Sequence, residues 1–71
     1  MPKIKIAVAI AGIAELMEIY DYELASRFRT EKKERLNIAQ TFFRSYSDNP
    51  DAADVGRLAI RTATMDAAVD D

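Results

Sequence analysis

The stretch Lys3-Ile4-Lys5-Ile6-Ala7-Val8-Ala9-Ile10-Ala11 admits two readings, and the fold follows from the choice between them. With a period of two, Ile4, Ile6, Val8 and Ile10 share one face of a strand, and Lys3, Lys5, Ala7, Ala9 and Ala11 share the other. With a helical period, Ile6, Ile10, Ile13, Met17, Tyr20 and Leu24 form one seam at spacings 4-3-4-3-4. That seam outruns the strand-like stretch with no turn signal. Pro2 also suits a first helical turn, where its missing N–H is no loss. A lone strand would need a partner, and no other segment alternates. The helical reading is preferred, with a helix expected over about residues 3–28. A short N-terminal strand over about 3–11 followed by helices is the alternative. Gly12 costs the helix about 1 kcal/mol against Ala. It marks a close helix crossing in the first reading or a strand-to-helix boundary in the second.

Downstream, no Gly or Pro occurs from Ile13 to Asn49, and good helix formers dominate. The seam fails at Arg29-Thr30-Glu31-Lys32-Lys33-Glu34-Arg35, which has no core residue, and resumes at Leu36, Ala39, Phe43 and Tyr46. Either the chain turns near residues 29–31, with Thr30 capping a second helix over about 31–47, or the first two helices are one. Ser47-Asp48-Asn49-Pro50-Asp51 is the plainest boundary. Asn49 can cap, Pro50 fits the first turn, and Asp51 and Asp54 favour the positive helix start. The last helix is expected over about 50–67, burying Val55, Leu58, Thr62, Met65 and Val69, with Ala52, Ala59 and Ala63 at the flanks of a thin, Ala-rich face that lets the backbone approach its neighbour closely. Asp70 and Asp71 put negative charge where the helix dipole disfavours it, so fraying is expected there.

The fold class is thus all-α, a three-helix hairpin or bundle in a single small domain. The chain has 71 residues, of which 49% are apolar. A monomer of this size buries only about 60% of its unfolded surface, and a three-helix protein this small cannot easily face Ile4, Ile6, Val8, Ile10, Ile13, Leu16, Met17 and Ile19 all inward, so completion by homo-oligomerisation or a protein partner is expected. The interface is assigned to Ile6, Ile10, Ile13, Met17, Tyr20, Leu24 and Phe42. Phe42 and Phe43 are adjacent, about 100° apart on a helix, so one face cannot centre both. Phe43 continues the Leu36–Ala39 seam and is expected in the core; Phe42 is left for a partner. Acidic residues 15–23 and basic residues 27–35 would complement one another between antiparallel copies, fixing register more than affinity.

Composition narrows the chemistry. With no His and no Cys, there is no imidazole base, thiolate or Cys-ligated metal site. Ser26, Ser45 and Ser47 lack an activating base. Glu15, Glu18 and Asp21 sit three apart on a helix, but the di-iron bundle pattern also needs Glu-x-x-His. No phosphate loop or dinucleotide fingerprint is present. The expectation is a non-catalytic protein–protein interaction or assembly module with no cofactor and no metal. The runner-up is a small helical nucleic-acid-binding regulator. In it, Arg29, Lys32, Lys33 and Arg35, within the basic segment 27–35, would contact phosphates.

The apolar run 6–14 after Lys3 and Lys5 is short for a secretory leader and far short of the ~20 residues that span a bilayer. An interfacial anchor on anionic lipid is weighed and not favoured. The net charge of −2 marks a small acidic protein. Absence of Cys fits a reducing compartment, and a cytoplasmic location is expected.

Overall fold

The computed structural model describes residues 2–69, and the strand alternative does not appear among them. The stretch that opened two readings is helical: α1 spans Pro2–Met17. After it come α2, Tyr22–Thr30, a 3-10 turn at Lys32–Glu34, α3, Arg35–Tyr46, and α4, Pro50–Ala68. The expected fraying at Asp70 and Asp71 falls outside the described residues.

The helix expected over 3–28 is two helices, and the break has a local chemical cause. After Met17 the backbone tightens: Tyr20 N–H and Asp21 N–H both donate to the Met17 carbonyl, at 3.0 and 2.9 Å. Asp21 is extended (φ −153°, ψ 94°), and its carboxylate accepts from Leu24 N–H at 3.0 Å, the geometry of an N-cap. Its other oxygen accepts the Tyr46 hydroxyl at 2.6 Å. Asp21 therefore starts α2 and ties that start to the end of α3.

The turn near residue 30 is present, so the single long helix is excluded. Thr30 does not cap a new helix. It closes α2, its hydroxyl donating to Ser26 O at 2.9 Å, and Glu31 N–H closes back on Arg27 O. The 3-10 turn then leads into α3, which starts at Arg35 rather than 31; neither Glu31 nor Glu34 supplies a side-chain cap. At the next boundary Asn49 accepts from Asp51 N–H and Ala52 N–H at 2.9 and 3.1 Å, with Pro50 beginning α4.

α4 packs against both α1 and α3, and α2 packs against α1 and α3. The core takes its bulk from Ile6, Ile10, Ile13 and Met17 of α1, Phe28 of α2, and Ile38 and Phe42 of α3. α4 contributes Ala52, Ala59, Ala63 and the buried Gly56. The expected α4 face was the larger side chains, and this is corrected. Thr62 is buried, but Leu58 and Met65 are exposed, and Val55 and Val69 are only partly covered. Small residues at 52, 56, 59 and 63 let the α4 backbone approach bulky neighbours. A Cβ built at Gly56 would lie 2.9 Å from Phe43 Cδ1 and 3.1 Å from Phe43 Cα, so the two helices meet there with room for hydrogen alone.

The aromatic assignment on α3 is reversed. Phe42 is fully buried, its ring edge-on to Tyr20 (6.1 Å between centroids) and tilted on Tyr46 (5.0 Å). Phe43 is half-buried, lying over Gly56 with the Arg57 guanidinium 5.8 Å from its ring centroid.

Candidate interaction surface

The core uses one side of α1, and the other side is apolar too. On a helix turning 100° per residue, Ile6, Ile10, Ile13 and Met17 cluster on the buried side. Ile4, Val8, Ala11, Gly12 and Leu16 fall on the opposite side. Ile4 is 65% exposed, Val8 68% and Leu16 46%; Ile19, in the turn after α1, is 72% exposed. α1 is thus apolar nearly all round, which in a globular protein is the pattern of a helix covered on both sides. Here the described residues cover only one side. The only charges on the outer stripe are Lys5 toward one end and Glu15 toward the other, both exposed. Among the described residues neither makes an ion pair.

The residues assigned to an interface from sequence have a different place. Ile6, Ile10, Ile13, Met17 and Phe42 are buried within the single chain, and Tyr20 and Leu24 pack partly buried against that core. The seam is a helical face, as its spacing indicates, but it faces α2 and α4. What the sequence reading passed over is the second face, Ile4–Val8–Leu16, whose spacing also follows the helical repeat. The excess of aliphatic side chains over residues 4–19 is legible in the sequence and carries the expectation of a partner; the interface assignment falls on the seam and not on this second face.

The four basic candidates are not brought together as a free cluster. Arg35 is buried, and every nitrogen of its guanidinium donates internally: Nε to Phe28 O at 2.6 Å, Nη2 to Arg29 O at 2.9 Å, and Nη1 to Asp66 at 2.9 Å. It thereby takes up carbonyls at the end of α2 that helix geometry leaves without partners. Its guanidinium carbon also sits 5.8 Å from the Phe28 ring centroid. This corrects its assignment as a phosphate contact. Arg29 pairs with Glu18 at 3.1 Å, and Arg27 with Glu31 at 3.2 Å, both at the surface. Lys32 and Lys33 are exposed in the 3-10 turn. An open cleft of about 440 Å³ lies beside Lys3, Arg29, Lys32 and Arg35, with Ile10 and Asp66 also lining it.

The acidic array read along residues 15–21 is dispersed as well. Asp21 is a cap, Glu18 is paired, and Glu15 faces outward. No group of three or more acidic side chains among the described residues could hold a metal ion. The hydrogen bond from Tyr46 to the Asp21 carboxylate holds the phenol proton in place and raises its pKa above the ordinary 10.0; desolvation and the carboxylate charge act in the same direction. Both atoms serve the junction of α2 with α3. No helix among the described residues is long and apolar enough to cross a membrane.

Compared with family models, curated proteins and solved structures, the chain matches none.

Proposed function

We propose that this chain is a non-catalytic protein–protein interaction module whose working surface is the outer face of α1. The observation that carries the reading is the exposed aliphatic stripe Ile4–Val8–Leu16, extended by Ile19, on a helix whose inner face already completes the core. Scattered exposed aliphatic residues are ordinary, whereas a contiguous row along one helix is the kind of patch that marks an interaction site. Its form suits recognition by a second helix, with anchors at successive turns. The buried Arg35 and the Arg29–Glu18 pair weigh against a phosphate-binding role for the segment 27–35.

The test places a photo-activatable side chain at Val8 and, as a control, at the exposed Arg61 of α4, in the cell that makes the protein. Discrete protein adducts are expected from position 8 and not from position 61. Absence of any adduct from position 8, whether to this chain or to another, refutes the reading.

A further inference from the structure

Resting on that reading, we infer that the partner of the α1 outer face is a second copy of this chain, docked antiparallel about a two-fold axis level with residue 10. The charges on the face select this occupant. Lys5 and Glu15 lie ten positions apart, about 15 Å along the helix. Neither has an ion-pair partner among the described residues. In an antiparallel pair each Lys5 lies opposite the other copy's Glu15, twice by symmetry. A parallel pair would set Lys5 against Lys5 and Glu15 against Glu15, where like charges repel.

The same register matches the apolar residues by size. When position 5 meets position 15, position 4 meets 16 and position 8 meets 12. Ile4 then packs on Leu16, and Val8 on Gly12, again twice each. Gly12 is otherwise unexplained in this fold. Its backbone has an ordinary φ, it is exposed, and a Cβ built on it would meet nothing within 4 Å. The chain therefore accepts a poor helix former at a position where its own packing demands no glycine. A notch opposite Val8 of a second copy gives that glycine a use.

The area is adequate for a reversible dimer. Ile4, Val8 and Leu16 each expose roughly 100 Å² of aliphatic surface. Doubled by symmetry and with Ala11, Gly12 and the stems of Lys5 and Glu15 added, the interface reaches roughly 1,000 Å², the lower bound for a specific contact. An isologous pair of this kind closes on itself and forms no filament. A lipid surface is the poorer occupant, because Glu15 lies within the stripe, whereas interfacial helices carry Lys and Arg beside theirs.

The experiment is sedimentation equilibrium of the full chain from micromolar to millimolar concentration. The expected result is a shift from 8.0 kDa to twice that mass, with a dissociation constant on the order of 10–100 µM. Lys5→Glu and Glu15→Lys should each weaken association about tenfold. The doubly exchanged chain, or an equimolar mixture of the two single variants, should recover it. Gly12→Leu should abolish association without loss of folded stability, checked by urea denaturation. A chain that stays monomeric to millimolar concentration overturns the inference, as does association that ignores the charge exchange and Gly12→Leu. Adducts from position 8 to a different protein only, or capture by anionic vesicles without dimer formation, also overturn it. Adducts to a different protein leave the interaction-module reading standing, whereas absence of every protein adduct removes both.

Discussion

Replacing Arg35 with Met keeps the aliphatic stem and removes the fork that holds three elements together. Wild-type Arg35 reaches Phe28 O, Arg29 O and Asp66, so it joins the end of α2 and the start of α3 to the last turns of α4. The Arg35 and Asp66 side chains retain only 10% and 16% of their solvent exposure. Removing one partner of a buried ion pair costs about 3–5 kcal/mol, chiefly because the other charge is left without compensation. Asp66 keeps some access to water, so the lower end, about 3 kcal/mol, applies. A domain of this length has a total stability of roughly 4–11 kcal/mol, so Arg35→Met removes between about a quarter and three-quarters of it. Arg35→Lys keeps the charge but cannot serve all three acceptors, and should fall between. Asp66→Ala in the Arg35→Met background removes the stranded carboxylate, so the double variant should be more stable than the sum of the single losses by about 1–3 kcal/mol. Urea unfolding followed by far-ultraviolet circular dichroism measures the wild type and the four variants, Asp66→Ala alone among them. A loss under about 1 kcal/mol for Arg35→Met, or strictly additive effects with Asp66→Ala, would refute this account of the guanidinium.

The packing leads to three further outcomes. Gly56→Ala should destabilise the fold by about 1 kcal/mol net in urea unfolding. The approach to Phe43 costs about 1–3 kcal/mol and exceeds the gain in helix propensity of about 1 kcal/mol. Phe42→Ala should cost about 3–5 kcal/mol, and Phe43→Ala clearly less, because only Phe42 is fully enclosed; paired thermal melts give the ranking. The Tyr46 phenol should ionise above its ordinary value of 10.0, seen as a late phase in ultraviolet titration, and Asp21→Asn should bring that phase down. The folded pKa lies above the unfolded one, so the stabilisation from this bond is fully present below about pH 10. It declines as pH rises through the folded value.

Residues whose structural role depends on immediate neighbours were readable in the sequence. Asn49-Pro50 is one: cap, first-turn proline and acidic first turn act within a few positions, and the helix begins where they say. The α1 seam was likewise readable as a helical face. The break before Asp21 was not, because no Gly or Pro marks it. Asp21 acts as a cap there while also accepting a hydroxyl from Tyr46, 25 positions away. On α3 the buried set is Arg35, Ile38, Ala39 and Phe42, a regular helical face whose first member is charged. Arg35 concealed that face, since a guanidinium reads as solvent-facing until its internal acceptors are known. On α4 the close approach of an Ala-rich face is legible, but the large apolar residues draw its centre toward Leu58 and Met65, whereas the flanking Ala52, Ala59 and Ala63 are the buried ones. The excess of aliphatic residues on α1 is legible too, but not which of its two faces the chain covers itself: the seam Ile6–Ile10–Ile13–Met17 has the longer run of regular spacings, and it is the face that α2 and α4 bury.

The gap beneath Phe43 also sets how α4 lies along α3. A helix face built from Ala52, Ala59 and Ala63 is smooth, and smooth helices can slide past one another by a turn with little change in buried area. Gly56 interrupts that smoothness at one point. Shifted by one turn, α4 would present Ala52 or Ile60 to Phe43, placing carbon where the native contact leaves room only for hydrogen. The aromatic ring therefore acts as a detent: of the alignments available to an otherwise featureless face, one lets the ring settle.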